Sequence, residues 1–367
     1  MRKISRNAWY YVYLVVITVI AAELMLRVYN PFPSGIKGNK IVLRVNVKYK
    51  IHDTGIPVLE KDIVHSKNSL GFRGPEPPKD PGKYFKIFTV GGSTTENGLL
   101  QDGKTWTDCL GRKLDSSFKS VWLNNAGLAG HSSFGHLVLL QDYLVKLKPN
   151  MIVMLVGCND VNRKDVTASD RYTMKGTYGS VSSFFTKNSE LVNVIATCIR
   201  ARRAQSFGLS DRYIDLGHTA NDTLFIKPEV MQQQMAALVP LLQEYRNRLN
   251  EIAGICRKNG IDLVLVSQPT LLGMGTDPET GADLAKHRVA GDVNGELWWK
   301  ELSLYNEVTR DVAGMNGLFF IDLAHQMPRS SKYYYDMLHF TNEGAEMVSR
   351  IISNELLTYL ISKHKLS

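Results

Sequence analysis

Short apolar runs alternate with longer amphipathic segments from about residue 85 to the end of the chain. The apolar runs are rich in β-branched residues and are bounded by turn residues, as is typical of buried strands. We predict strands at Lys86–Val90, Val121–Asn124, Met151–Val156, Ile261–Ser267 and Leu318–Asp322. The segments between them carry helical periodicity, and we predict helices at about Trp106–Phe118, Phe134–Leu147, Pro228–Lys258, Leu297–Ala313 and Asn342–Lys363. This alternation predicts a three-layer α/β/α sandwich around a five-stranded parallel sheet, with ligands bound outside the carboxyl ends of the strands.

The amino-terminal segment has a different pattern. An apolar stretch covers residues 8–26, and Glu23 is its only charged residue. About twenty residues span a hydrocarbon core, so this stretch predicts a membrane helix with Glu23 near the interface. Three basic residues precede it: Arg2, Lys3 and Arg6. They predict a cytoplasmic amino terminus and an exported remainder. A cleaved signal peptide ending near Ala21-Ala22 is the alternative, and the lack of polar periodicity argues against a buried core helix.

Changes in composition divide the chain into three parts. Residues 1–30 form the membrane anchor or signal segment. Residues 31–84 are rich in Pro, Gly and Lys, with a β-like stretch at Ile41–Val47, and we expect them to be a connector that packs on the main domain. Residues 85–367 form the main domain. The long polar stretch at about 161–226 breaks the alternation, and we interpret it as an insertion over the carboxyl face of the sheet, such as a lid.

Composition and charge exclude several classes of protein. The hydrophobic fraction of 44% is typical of a globular chain, and the net charge of +9 is modest. The basic residues cluster at two places: Lys37, Lys40, Arg44, Lys48 and Lys50, and Arg200, Arg202 and Arg203. Solvated surface or contact with anionic lipid headgroups or an acidic polymer explains such clusters. No basic stripe interleaves with stacking aromatics, so we expect no nucleic-acid partner. The four cysteines have no CxxC spacing.

Two separated segments carry the parts of a nucleophilic triad. Ser93 follows the first predicted strand in the turn Gly91-Gly92-Ser93-Thr94, where its hydroxyl can project into a cleft. His339 is the candidate general base, and Asp336, three residues earlier, can orient its ring. The alternatives are a serine that caps a helix and a chance pairing of carboxylate and histidine. The loop between the last strand and the last helix is nevertheless where a catalytic pair belongs.

Two further segments offer donors for an oxyanion. Gly127 lies after the second predicted strand, and Asn159 follows the third strand within Gly157-Cys158-Asn159-Asp160. The Asn159 amide and the N–H groups of Ser93 and Gly127 would supply three donors. An Asx turn that merely ends a strand is the alternative role for Asn159. We expect Asp160 to brace the loop and to take no part in the chemistry.

Other candidate residues lack support. His131 and His136 follow Gly127 but have no neighbouring carboxylate in the sequence. Two aromatic groups are equally consistent with a sugar-stacking wall and with core packing: Tyr333-Tyr334-Tyr335 and Trp298-Trp299. No metal-binding or nucleotide-binding motif is present, so we expect no metal and no cofactor.

In their order and spacing, these segments resemble the four blocks of the SGNH, or GDSL-type, hydrolase family. The resemblance covers about residues 84–367 and implies the flavodoxin-like fold of that family. Residues 68–76 (NSLGFRGPE) and Ser267-Gln268-Pro269 resemble membrane-anchored members from bacterial polysaccharide systems. The first block departs from the GDSL spelling, since Gly92 replaces Asp and Thr94 replaces Leu.

The resemblance implies an esterase. Ser93, His339 and Asp336 would form an acyl-enzyme on an acyl ester, and the resemblance suggests O-acetyl esters of carbohydrate or small acyl esters as substrates. One alternative is an O-acyltransferase that resolves the same acyl-enzyme with a sugar hydroxyl of a surface or secreted polysaccharide. The other is a non-catalytic carbohydrate-binding or assembly factor, and the retention of Ser93, Asp336 and His339 argues against it.

Overall fold

The computed structural model describes residues 6–30, 36–37, 40–163, 185, 188–206, 213–219 and 222–365. The chain divides into two units, one formed by Met1–Val42 with Thr167–Ser210 and the other by Leu43–Val166 with Asp211–Ser367. The strands, in chain order, are β1 (Ile36–Lys37), β2 (Lys40–Ile41), β3 (Val47–His52), β4 (Asp62–Lys67), β5 (Phe85–Gly91), β6 (Val121–Asn125), β7 (Met151–Val156), β8 (Asp262–Ser267), β9 (Arg288–Ala290), β10 (Val293–Asn294) and β11 (Phe319–Ile321). The helices are α1 (Arg6–Val28), α2 (Ser93–Glu96), α3 (Trp106–Ser117), α4 (Ser133–Asp142), α5 (Glu190–Ser206), α6 (Pro228–Ala237), α7 (Val239–Lys258), α8 (Gly295–Asn316), α9 (Leu323–Gln326) and α10 (Asn342–His364), with 3-10 turns at Pro81–Lys83 and Leu144–Leu147.

A five-stranded parallel sheet forms the centre of the larger unit. Its strand order is β11-β8-β7-β5-β6, and every neighbouring pair is parallel. The first strand of the sheet, β5, therefore has β6 on one side and β7 on the other. The chain reverses its direction of travel across the sheet at β5, and in open α/β sheets the ligand crevice lies at such a switch point. The loops that follow β5, β6 and β7 meet at the carboxyl ends of these parallel strands.

Helices cover both faces of the sheet. On one face α3 packs against α10, and on the other α7 packs against both α4 and α8. All six residues of β7 are buried, as expected of a central strand with helices on both sides. The predicted three-layer α/β/α sandwich is thus confirmed, and all five predicted sheet strands are present.

Two predicted helices differ from the structure. The segment predicted as one helix at Pro228–Lys258 forms α6 and α7, which meet at Leu238. Pro240 lies in the first turn of α7, and because proline lacks an N–H and restricts the residue before it, it starts a helix more readily than it continues one. The helix predicted at Phe134–Leu147 begins at Ser133 and ends at Asp142, and a 3-10 turn follows.

The β-like stretch predicted at Ile41–Val47 is not a strand. It lies between β2, which ends at Ile41, and β3, which begins at Val47. The strand pair in this region is the antiparallel hairpin of β3 and β4. Its first strand alternates apolar and polar residues, a pattern that indicates a half-exposed strand.

Residues 68–76 contact the sheet directly. Arg73 and Asn125 exchange two backbone hydrogen bonds, of 3.1 and 2.9 Å, and the Trp122 indole donates to the Glu76 carbonyl. These contacts attach part of the predicted connector to the outer strand β6. The predicted boundaries of the connector and of the 161–226 insertion stay predictions. Much of that insertion, at 164–184, 186–187, 207–212 and 220–221, lies outside the described residues.

The smaller unit contains the predicted apolar helix. α1 includes an apolar span, Trp9–Val28, with a mean hydropathy of 2.0 and no part buried. This span is long and apolar enough to cross a membrane, although a signal sequence has the same properties. α5 belongs to the same unit and contacts α1 near Glu23.

Candidate active site

The turn after β5 presents the Ser93 side chain. β5 ends at Gly91, Gly92 is the N-cap residue, and Ser93 is the first residue of α2. Ser93 is therefore not the cap that the alternative interpretation required. Its backbone N–H, like the other first N–H groups of a helix, has no acceptor within α2. Both the hydroxyl and the N–H of Ser93 are thus available for contacts outside the helix.

Ser93, His339 and Asp336 form a continuous series of hydrogen bonds. His339 Nε2 is 2.7 Å from Ser93 Oγ, and His339 Nδ1 is 2.6 Å from Asp336 Oδ2. The histidine and aspartate side chains are largely buried, at 14% and 9% exposure. This arrangement can transfer the Ser93 proton to the imidazole and balance the resulting positive charge with the carboxylate.

The Asp-x-x-His spacing alone does not identify this pair. The described residues contain two further pairs with the same spacing and the same Nδ1–carboxylate contact, Asp215 with His218 and Asp322 with His325. The imidazoles of those pairs are 89% and 76% exposed. His339 differs because its ring is enclosed and its Nε2 contacts a serine hydroxyl. Burial of the ring and contact with the Ser93 hydroxyl, rather than spacing, therefore distinguish this pair.

Hydrogen bonds keep Asp336 ionised. Burial acts to raise the pKa of this carboxyl, but the His339 charge, the His339 ring and the backbone N–H groups of His339 and Leu338 outweigh it. The pKa of Asp336 therefore lies below its ordinary value. The two N–H groups donate to Oδ1 at 2.7 and 2.8 Å, which leaves Oδ2 for the imidazole.

Neighbouring residues fix the loop that carries the histidine. The Tyr335 ring stacks on the His339 ring, with centroids 5.5 Å apart and planes 10° apart. The Met337 carbonyl accepts from the Thr270 hydroxyl and the Leu271 N–H, at 2.7 and 3.0 Å. Thr270 and Leu271 belong to the loop after β8. This loop therefore helps to position the segment 336–339.

The Asn159 amide lies beside Gly92, in the turn that carries Ser93. Its Nδ2 donates to the His131 carbonyl at 2.9 Å, and Arg163 donates to its Oδ1 at 3.2 Å. A Cβ built on Gly92 would lie 2.2 Å from Nδ2, so any side chain at position 92 would displace the amide. An amide nitrogen carries two hydrogens, and the bond to His131 uses one. The other can be donated to a group bound above Ser93.

Gly127 does not have the free N–H that the sequence-based prediction required. Its N–H donates to Asn125 Oδ1 at 2.8 Å, while Asn125 Nδ2 donates to the Thr95 carbonyl at 2.7 Å. A Cβ at Gly127 would lie 2.4 Å from the Glu96 nitrogen. The group that approaches Gly127 is therefore the backbone of α2 rather than a ligand, and an oxyanion would have to displace Asn125.

Gly130 is the next glycine in this loop, three residues later. It adopts φ +78°, a region that favours glycine, and it precedes His131, whose carbonyl binds the Asn159 amide. Its carbonyl accepts from Arg163, and no acceptor for its N–H is found among the described residues. The two glycines at 127 and 130 indicate a loop that can offer backbone donors. The sequence does not reveal that the Asn125 side chain accepts the N–H of the first of them.

Asp160 joins the loop after β7 to the start of α4. Its buried carboxylate accepts from the backbone N–H and the hydroxyl of Ser133, at the start of α4, and from Arg248 on α7. Arg248 also donates to the Ser133 hydroxyl at 2.7 Å. The predicted bracing role of Asp160 agrees with these contacts.

Two charged residues that hold α2 were not predicted. The Arg73 side chain, in a residue that is 1% exposed, donates to the carbonyls of Glu96, Asn97 and Leu100 and to Asp102. Glu96 accepts from Lys67 at 2.6 Å and from the Ala129 N–H at 2.7 Å. Burial acts to raise the pKa of Glu96, but the Lys67 charge and these hydrogen bonds lower it to about 2. The carboxylate thus links α2 to the 126–130 loop.

The other candidates from the sequence have structural roles. Burial lowers the pKa of His136 to about 3, so that it stays neutral and is not a base. His131 contributes its carbonyl to Asn159, and Tyr334 is 1% exposed in the core. The Trp299 ring lies under the Arg329 guanidinium, 5.0 Å away. The described residues contain no group of His, Cys, Asp and Glu arranged to hold a metal ion.

Known proteins resemble this chain over most of its length. The profile of the GDSL-like Lipase/Acylhydrolase family matches residues 89–347, which include Ser93, Asp336 and His339. No curated protein matches the chain. Among solved structures, the lipase/acylhydrolase from Enterococcus faecalis is 15% identical, with 75% of this chain and 96% of that chain covered and a TM-score of 0.41. An acetyl xylan esterase from Geobacillus stearothermophilus is 13% identical, with coverage of 74% and 94% and a TM-score of 0.42.

Glu301 lies beneath the Asn159 loop and titrates near neutral pH. It is 2% exposed on α8, and its carboxylate accepts from the Asn162 amide. Burial raises its pKa to about 7, and the hydrogen bond from Asn162 offsets only part of that effect. The folded protein therefore retains this proton at pH values where the unfolded chain has released it.

We expect Glu301→Gln to remove one component of the pH dependence of stability. Because the raised pKa disfavours ionisation in the folded state, wild-type stability should fall as pH rises from about 4.5 to about 7. Glutamine stays neutral, so the variant should gain in melting temperature relative to wild type between pH 5 and pH 8. Glu307→Gln, at an exposed position of α8, is the control. Parallel pH profiles for Glu301→Gln and wild type would show that Glu301 is not buried in solution.

Proposed function

The chain belongs to the GDSL-like lipase/acylhydrolase family and is an ester hydrolase, and on that premise we propose that it is a serine esterase that removes O-acetyl groups from carbohydrate through an acyl-enzyme. The series Ser93–His339–Asp336 is the observation that carries this proposal, because both of its hydrogen bonds are 2.7 Å or shorter. The carbohydrate substrate rests on the resemblance of residues 68–76 and 267–269 to proteins of polysaccharide systems.

The proposed reaction begins with attack of Ser93 Oγ on the ester carbonyl. His339 Nε2 accepts the hydroxyl proton as the new C–O bond forms, and Asp336 stabilises the imidazolium. The tetrahedral intermediate then collapses, the bond to the alcohol oxygen breaks, and His339 returns the proton to that oxygen. The products of this half-reaction are the free alcohol and the acylated Ser93.

Three donors would hold the negative oxygen of the intermediate. We assign the Ser93 N–H, the second hydrogen of Asn159 Nδ2 and the Gly130 N–H to this role. Gly130 replaces Gly127 because the Gly127 N–H is already bonded to Asn125. Donors that are fixed before the reaction need no reorganisation as the charge develops, which is why they favour the transition state.

Water would complete the cycle. His339 removes a proton from a water molecule, the hydroxide adds to the acyl carbon, and Ser93 leaves with the proton that His339 returns. The same acyl-enzyme would become an O-acyltransferase if a sugar hydroxyl took the place of water. Analysis of the products in the presence of an acceptor saccharide separates these outcomes, since hydrolysis yields free acetate and transfer yields an acetylated sugar.

We further propose that α1 anchors the protein and that the hydrolase unit is exported. The uncharged part of the apolar span and the basic residues before it support this orientation.

We expect His339→Ala to abolish hydrolysis of p-nitrophenyl acetate and labelling of Ser93 by a fluorophosphonate. Loss of the general base should lower kcat/KM by about a thousandfold or more. Asp336→Asn should retain a small residual activity, because it misorients the base without removing it. The matched control is His325→Ala, which breaks an exposed pair with the same Asp-x-x-His contact and should have no effect. Normal turnover by His339→Ala would refute the triad, whereas wild-type protein with neither turnover nor labelling would favour the non-catalytic alternative.

We expect Asn159→Ala to lower kcat by about a hundredfold or more, with KM little changed. The amide meets a charge that exists only during acyl transfer, so it acts on the transition state. Asn162→Ala, in the same loop, is the control: its amide binds Glu301, so this variant should lose stability and keep its turnover per folded molecule. If Asn159 only ends a strand, the variant should instead lose thermal stability and keep its turnover per folded molecule.

Gly92→Ala tests the contact between the Asn159 amide and the turn at Gly92. Its Cβ would occupy the position of Asn159 Nδ2, so kcat should fall even though Asn159 is retained. Overpacking of this kind costs about 1–3 kcal/mol of stability. Gly98→Ala, where a Cβ meets no atom within 4 Å, should leave both kcat and stability unchanged.

We expect a carboxyl-terminal alkaline phosphatase fusion to be active in a bacterial host, because that enzyme folds only after export. A fluorescent protein at the same position should remain dark if export uses the general secretion route. An inactive phosphatase fusion together with a fluorescent reporter would place the hydrolase unit in the cytoplasm.

A further inference from the structure

The polar and apolar sides of α5 are reversed relative to a helix of a water-soluble protein. Asn193 is 4% exposed, whereas Ile195 and Ile199 are each 51% exposed. The exposed side also contains Cys198. Helices in water bury aliphatic side chains and expose polar ones, and in membranes the polar side chains face other helices instead. The pattern of α5 is therefore the one that a lipid environment favours.

The start of α5 is fastened to the apolar helix α1. The Glu23 carboxylate accepts from the backbone N–H groups of Glu190 and Leu191, at 3.2 and 3.0 Å, and from the Ser189 hydroxyl at 2.8 Å. Arg27 donates to the Asn188 carbonyl at 2.7 Å and to Glu23 itself. The first N–H groups of a helix need acceptors, and here a side chain from another helix supplies them.

These contacts also explain a carboxylate within an apolar span. Glu23 lies between Trp9 and Val28, the limits of the segment that can cross a membrane. An ionised group near hydrocarbon is costly unless it is paired and hydrogen-bonded. The N-terminus of α5 provides that pairing, and it does so only if α5 lies at the level of Glu23, at the end of the span.

The sequence that follows the exposed isoleucines suits the same location. Three arginines come next in α5: Arg200, Arg202 and Arg203. A helix that combines exposed aliphatic residues with such a cluster is typical of segments that lie at the boundary between acyl chains and anionic headgroups. The apolar span of α1, to which α5 is attached, is likewise unburied.

We propose that α5 is a second membrane-contacting helix, which lies against the bilayer with Ile195 and Ile199 among the acyl chains and is held there by Glu23. This inference concerns lipid contact and is independent of the esterase reaction. The lipid bilayer is the partner that we propose for the exposed side of α5. A second copy of the chain or another protein on that side would contradict the proposal.

Cys198 provides the test, because it is the exposed cysteine and the other three are buried. The full-length protein is labelled at Cys198 with an environment-sensitive NBD maleimide and placed, one molecule per disc, in nanodiscs of phosphatidylcholine and phosphatidylglycerol. We expect emission shifted to shorter wavelength, quenching by nitroxide-bearing lipid, and several-fold weaker quenching by aqueous iodide than at a solvent-exposed control. That control is Cys198→Ser with Ser117→Cys, which puts the label on the exposed end of α3.

Emission and iodide quenching equal to those of the control would overturn the proposal. A shift to shorter wavelength without quenching by nitroxide lipid would also overturn it, because protein rather than lipid would then cover Cys198. Glu23→Leu should release α5 and increase iodide quenching at Cys198 several-fold. The Asn162→Ala variant, in the larger unit, should leave the signal unchanged. None of these readouts depends on catalytic turnover.

Discussion

The contact of the Asn159 amide with the backbone of Gly92 is the constraint on which the site depends. The amide fills the space that a side chain at position 92 would occupy, and it also binds the His131 carbonyl. This contact joins the loops after β5, β6 and β7, which meet because parallel strands end at the same edge of a sheet. The distance between the Ser93 hydroxyl and the proposed oxyanion donors is therefore set by the packing of the Asn159 amide against the backbone of Gly92 and His131.

Buried charges hold these loops in place without taking part in the proposed chemistry. Arg73 gathers the carbonyls at the end of α2, Glu96 ties α2 to the 126–130 loop, and Asp160 ties the Asn159 loop to α4. Such groups are costly to bury, and each recovers that cost through hydrogen bonds to backbone and to side chains. A loop fixed in this way presents donors in one geometry, which is the property that stabilisation of a transition-state charge requires.

Local sequence patterns predicted the elements of the fold better than the contacts of the site. β-branched runs identified β5 and β7, because a strand buried on both faces has few polar residues. The order of the strands and the break before Pro240 depend on tertiary packing and backbone geometry. The pair Asp336–His339 was predicted from spacing, yet Asp215–His218 and Asp322–His325 share both that spacing and the carboxylate contact. The enclosure of the His339 ring and its distance to Ser93 separate it from them. Gly127 was expected to donate to an oxyanion, and nothing in the sequence shows that the Asn125 side chain already accepts its N–H.

The contacts of Glu23 bear on whether the amino-terminal helix is retained in the mature protein. A signal peptide needs no specific partner in the folded chain, since it is removed after export. Here Glu23 and Arg27 bind the start of α5. Cleavage after Ala22 would make Glu23 the new amino-terminal residue. Cleavage further on would remove Glu23, the acceptor for the first N–H groups of α5. The contacts of Glu23 and Arg27 therefore support our proposal that α1 is retained as a membrane anchor.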